Sequence, residues 1–138
     1  MLRGYGLLRH TFALASILMG ADKFLHLLVD WDKYVAPALK RGRLDGGHVY
    51  MVGAGVVEIL AGLLIWVAPR YGAYLVAALH FIFAASILIA LQRSYFDIAA
   101  RDLVLALGAL ALARMSPPGL VAFRRGNRHS SGSPVVAA

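Results

Sequence analysis

The chain contains no cysteine, which excludes disulfide exchange, thiolate metal sites, cysteine-ligated iron–sulfur clusters and palmitoylation within it. Charge is scarce as well. Asp, Glu, Lys and Arg make up 15% of the 138 residues, against roughly a quarter in soluble domains. Acidic residues are the rarest, seven against fourteen Lys and Arg. Walker loop, dinucleotide fingerprint, zinc-ligand spacing and nucleophile elbow are all missing. The three glycine-rich places, Arg3-Gly4-Tyr5-Gly6, Gly46-Gly47 and Gly53-Ala54-Gly55, lack the strand-to-helix setting of a phosphate loop.

What is present is apolar: 60% of residues are hydrophobic and the mean hydropathy is +0.70. A lipid-spanning helix needs roughly 20 mainly apolar residues, so four spans use about 80. The remainder is too short for a separate catalytic domain. Any chemistry must therefore lie between the helices, at their ends or on a partner. The net charge of +7 and a pI near 10.3 do not indicate nucleic acid, because the basic residues are scattered over short loops and a tail without a stacking platform or recognition helix.

Four apolar runs are found at about 7–29, 48–67, 73–91 and 97–115. Only the third, within the charge-free stretch from Tyr71 to Gln92, passes a strict hydropathy test. Trp31, Tyr34 and Tyr50 mark one predicted face, Trp66, Tyr71 and Tyr74 the other, and Tyr95 with Phe96 the first again. The run from His10 to Ala21 after Arg3 and Arg9 also reads as a secretory signal, but it continues through Asp22 and Lys23 as a retained helix does. Seven Lys and Arg fall on the side of the termini and five on the other, which places both termini in the cytoplasm. Trp31, Tyr34, Val35, Ala38 and Leu39 recur at helical spacing, as in a short interfacial helix broken near Pro37, or else they form an ordinary loop. The expected fold is all-α: a polytopic membrane four-helix bundle with short loops over 1–115, followed by a disordered basic tail over 116–138, rich in Gly and Ser after Pro117-Pro118.

The informative residues are the ionisable ones inside the runs. Each costs about 2.5 to 3.5 kcal/mol at the centre of a lipid-embedded helix, so such groups face the bundle interior and pair. They are Asp22, Lys23 and His26 in the first run, Glu58 in the second, His80 in the third, and Arg101 with Asp102 in the fourth. Asp22 and His26 are spaced to share a face. Glu58 sits among Ala54, Gly55, Ala61 and Gly62, His80 among Ala73, Ala77 and Ala84, and Asp102 with Ala106, Ala109 and Ala113. Small residues mark packed faces in membrane bundles. Counting about 1.5 Å per residue from the face opposite the termini puts Asp22 about 10 Å deep, Asp102 about 7 to 8 Å, Glu58 about 15 Å and His80 about 16 Å. A network of Asp22, Lys23, Arg101 and Asp102 is expected, with Glu58 and His80 at its floor, and Asp97 is placed to pair locally with Arg101. Such a network either fixes helix order by interhelical bonds alone or serves exchange with a quinone headgroup or passage of a small solute. No two histidines sit level on facing helices, so haem is not expected. No metal site is expected either.

The segments Gly20-Ala21-Asp22-Lys23-Phe24, Val57-Glu58-Ile59-Leu60-Ala61-Gly62-Leu63-Leu64 with Pro69-Arg70, and Tyr95-Phe96-Asp97-Ile98-Ala99-Ala100-Arg101-Asp102-Leu103 together resemble the DoxX family of small four-helix membrane proteins of bacteria and archaea, over roughly residues 5 to 115. The resemblance implies an accessory subunit of a respiratory or sulfur-linked redox assembly in the cytoplasmic membrane, with a quinone as the small-molecule candidate and a soluble or membrane redox enzyme as partner. Lys23, Glu58, Arg101 and Asp102 match the family's polar pattern. A structural or assembly subunit without catalysis and a small-solute permeation protein remain alternative readings, and no oligomeric state follows.

Overall fold

A computed structural model describes residues 2–28, 30–35, 46–90 and 95–118. The disordered-tail expectation beyond residue 118, and Ala38 and Leu39 of the proposed interfacial helix, lie outside the described residues. Four helices carry the fold: α1 (Leu2–Leu25), α2 (Gly46–Val67), α3 (Pro69–Ala90) and α4 (Phe96–Met115), with one 3₁₀ turn (Trp31–Tyr34) after α1. Among the described residues there is no strand. Two of the four helices, over Gly47–Val67 and Pro69–Ile89, are long and apolar enough to cross a membrane.

Helix ends are set by caps rather than by the charges that delimit the apolar runs, and this accounts for the shifts from expectation. The first helix begins at Leu2 and ends at Leu25, whereas the apolar run extends over 7–29. Arg9 does not stay outside the bundle: its Nε donates to the Ile65 carbonyl at 3.2 Å and its Nη2 to the Trp66 carbonyl. It thereby satisfies the open end of α2, where a cation is also favoured by the helix dipole. Between α2 and α3 the chain spends a single residue, Ala68, whose N–H donates to Leu64 O at 2.7 Å. Proline at the first position of a helix loses no hydrogen bond, so Pro69 starts α3 four residues before the expected boundary.

The helices run alternately up and down. At one end the Tyr5 and Ser116 hydroxyls meet at 3.2 Å, and the Ser116 hydroxyl donates to Leu112 O at 2.7 Å. At the other end Tyr34 and Tyr95 pack edge to face, 4.9 Å between ring centres. The bundle is two tight pairs: α1 packs along α2 and α3 along α4, α2 and α3 share a smaller interface, and α1 touches α4 little.

Residues seven apart give each pair its close approach, because seven residues return to one face after about two turns. In α1 and α2 they are Ala13 with Gly20 and Gly55 with Gly62; in α3 and α4 they are Ala77 with Ala84, and Ala99, Ala106 and Ala113. All six of those alanines are buried. At the Gly20–Gly55 crossing the backbones nearly touch: a Cβ on either glycine would stand 2.7 Å from the other's carbonyl oxygen. Ala13, Ile65, Val76, Ala109 and Leu112 join the two pairs in one apolar core. Gly55→Val is expected to lower stability by about 1 to 3 kcal/mol through overpacking. Gly53→Ala, where a Cβ meets nothing within 4 Å, should not lower it. Thermal unfolding of the purified variants followed by circular dichroism checks both.

Candidate functional site

The ionisable residues named from the sequence divide into two groups with different tasks. Lys23, Glu58, His80 and Asp102 are buried around one cavity, whereas Asp22, also buried, builds the wall beside it. The expected single network of Asp22, Lys23, Arg101 and Asp102 is therefore not what forms.

Asp22 is taken up by the chain reversal after α1. Its Oδ1 accepts from the backbone N–H groups of Leu27 at 3.0 Å and Leu28 at 2.8 Å, and its Oδ2 accepts from Trp31 Nε1 at 2.8 Å. A carboxylate accepting three hydrogen bonds satisfies two backbone donors of the turn beyond the helix and one indole N–H. The reversal requires His26 to adopt φ +50°, the left-handed conformation common at the first residue beyond a helix. His26 thus stands past the helix rather than on a face shared with Asp22, and its ring stacks on His48 with centres 5.8 Å apart. It does not reach the cavity.

By holding the indole, Asp22 brings Trp31 over Lys23, whose Nζ lies 3.9 Å from the ring centre. Trp31 is the residue that sequence reasoning misplaced. The spacing of Trp31, Tyr34 and Val35 suggests a surface helix, yet Trp31 and Val35 turn inward, are buried, and pack with Met51, Met19 and Tyr50. The informative signal was Asp22 nine residues earlier, an acceptor within loop reach of an indole donor.

Lys23 is 1% exposed, and its Nζ donates to Glu58 Oε2 at 2.7 Å. Desolvating either charge alone is costly, and the short, direct contact with the Trp31 ring face beside it offsets much of that. Asp102 sits between two groups, with Arg101 Nη2 at 3.5 Å and His80 Nδ1 at 3.6 Å. Arg101 turns to Asp102 rather than to Asp97, and its side chain is 47% exposed. It stands at the rim where the sequence placed it in the interior. A guanidinium on a long stem reaches water readily, so a position near the start of α4 lets it snorkel.

These groups line a small, partly open cavity of about 40 Å³, below the range of sites that enclose a whole small molecule. Every helix contributes: Met19 and Lys23 from α1, Met51 and Glu58 from α2, His80 and Phe83 from α3, Ile98 and Asp102 from α4. Trp31, Tyr34 and Tyr50 stand at the end away from the termini. The lining combines polar groups with aromatic and thioether side chains. No group of three or more His, Asp or Glu among the described residues is placed to hold a metal ion.

Removing one member of the buried pair should cost about 3 to 5 kcal/mol, as it strands the other. Lys23→Met and Glu58→Leu are each expected to fall in this range and the double variant to lose less than their sum, measured by chemical unfolding in a double-mutant cycle. Asp22→Ala should release the indole. In a Trp66→Phe background, which leaves Trp31 as the only tryptophan, its emission is expected to shift to the red. Compared with models of protein families, with curated proteins and with solved structures, the chain matches none.

Proposed function

We propose that this chain is a multi-pass integral membrane protein that binds a quinone-type ring at the mouth of the cavity between its helices, as an accessory subunit of a respiratory or sulfur-linked redox assembly. The observation that carries the reading is the cavity itself: an aromatic and thioether wall around a floor of Lys23, Glu58, His80 and Asp102. A quinone has the same division, a flat apolar ring with polar oxygens. Lys23 is paired with Glu58, and Asp102 has Arg101 at 3.5 Å on the rim, so no carboxylate here stands without a cation beside it.

The membrane half of the reading has its own support. Large apolar side chains stand exposed on all four helices, among them Leu7 and Leu18, Val49 and Leu60, Ile82 and Ile89, Val104 and Leu107. An apolar surface of that extent is costly in water and ordinary in lipid. Part of the lower apolarity of α1 and α4 comes from Asp22, Lys23, Arg101 and Asp102, placed at the cavity or its wall. The resemblance to the DoxX family points the same way and adds the redox setting, a bacterial or archaeal cytoplasmic membrane and a redox-enzyme partner. The excess of Lys and Arg on the side of the termini, seven against five, supports a reading with both termini in the cytoplasm.

Binding is tested with a short-chain ubiquinone titrated into the purified Trp66→Phe protein in detergent. Saturable quenching of Trp31 is expected, and Ser86→Phe, which places a ring in the cavity, should weaken it at least tenfold. Quenching that does not saturate, or that Ser86→Phe leaves unaltered, would refute the site. The assembly half predicts that the intact chain taken from its membrane in mild detergent brings an oxidoreductase subunit with it. Recovery of the chain alone argues against that half.

A further inference from the structure

The Lys23–Glu58 pair uses only part of its hydrogen-bonding capacity. Lys23 Nζ donates to Glu58 Oε2, and Glu58 accepts no other hydrogen bond among the described residues. Its Oε1, on a side chain 4% exposed, is therefore without a donor from the chain, yet it is not among the atoms sealed off from water. A carboxylate has about four lone-pair positions, and leaving them unused in an apolar interior is costly. Asp102 is as poorly supplied. Its neighbours Arg101 Nη2 at 3.5 Å and His80 Nδ1 at 3.6 Å are both beyond ordinary hydrogen-bond length.

The cavity that both carboxylates line is of a size to supply the missing donors. It measures about 40 Å³, and one water needs about 10 to 15 Å³ counted in that way, so there is room for about two or three. Lys23, Ser86, Tyr34 and Tyr50 line it as well, so the polar partners that hold a water in place are at hand.

Only one end of the cavity is polar. Away from the termini stand Tyr34, Tyr50 and the half-exposed Arg101. Toward the termini, beyond Glu58 and His80, come Ala61, Ile65, Val76, Ala77, Ala109 and Leu112, buried members of one apolar cluster. Glu58 and Ile65 are about 10 Å apart along α2, and the clustered side chains offer water no hydrogen bond.

We propose that the cavity is a water site, holding about two or three molecules against Glu58 and Asp102, in exchange with the solution away from the termini and closed to the other side. The inference rests on the membrane half of the reading above, which gives the two sides their meaning, and is independent of the quinone. It makes a buried ion pair reachable by water from one compartment alone. Hydrogens of the Lys23 ammonium then exchange with that solution, one leaving to water for each one returned.

Silver ion is close to water in size and binds thiolate, and the chain has no cysteine of its own, so a single introduced thiol reports access. Ser86→Cys lies on the cavity wall and Ile65→Cys in the apolar cluster. Each full-length variant is placed in sealed membrane vesicles of both orientations, a protease-cleavable C-terminal tag marks the side of the termini, and silver nitrate is added outside in chloride-free buffer. Thiol remaining is then titrated with maleimide after unfolding. The Ser86→Cys thiol is expected to be lost when silver is added opposite the termini and kept when it is added on their side, and the Ile65→Cys thiol to be kept in both. Retention at Ser86→Cys throughout, its loss from the side of the termini, or loss at Ile65→Cys would overturn the proposal. Should either variant fold poorly, uniformly nitrogen-15-labelled wild-type protein in detergent gives a second measurement. In deuterium oxide the Lys23 ammonium is expected to exchange well before the backbone amides of Ile65 and Leu112, and exchange as slow as theirs would overturn the water site. Extraction of the wild-type chain from its membrane by alkaline carbonate would instead overturn the membrane reading and the sidedness with it, leaving the water site to the exchange measurement.

Discussion

The contact between the Lys23 ammonium and the Glu58 carboxylate, 2.7 Å long and almost wholly shielded from solvent, constrains everything near it. Neither charge is tolerable there without the other, so α1 and α2 must pack at one register. The Gly20–Gly55 crossing holds that register by bringing the two backbones into contact. The remaining exposure of the ammonium is covered by the Trp31 ring, and the ring is held by Asp22. One ion pair, one close crossing and one capped turn thus form a connected unit at the end of the bundle away from the termini.

The cavity follows from the same unit. Lys23, Glu58 and Trp31 all line it. Its polarity is local, confined to groups that already have partners or nearly so. His80 is the exception, and its burial beside Asp102 makes its one enclosed nitrogen the most specific chemical feature of the interior.

Much of this was legible in the residues. Four helices and their order follow from the spacing of the apolar runs, and α2 and α4 start and stop within about two residues of expectation, as is usual for helix ends. The burial of Asp22, Lys23, Glu58, His80 and Asp102 follows from the cost of leaving such groups in apolar surroundings and from the small residues beside them. The pairing did not follow, because depth along a helix says nothing about direction around the bundle. Lys23 and Asp22 are neighbours in sequence yet point about 100° apart on a helix; one turns to Glu58 and the other to the reversing chain. The limits of α1 and α3 were misjudged for a related reason. Charges and prolines look like boundaries, but Arg9 caps a neighbour and Pro69 opens a helix.

The division of the bundle into two pairs has a mechanical consequence. With α1 bound closely to α2, α3 to α4, and little contact between α1 and α4, the molecule resembles an open book whose spine is the α2–α3 interface and the turn at Ala68. The cavity lies between the covers. A few degrees of rotation about the spine changes its width while the glycine crossing and the alanine faces within each cover stay as they are. The groups that would sense that rotation lie on opposite covers: Glu58 and Lys23 on one, His80 and Asp102 on the other.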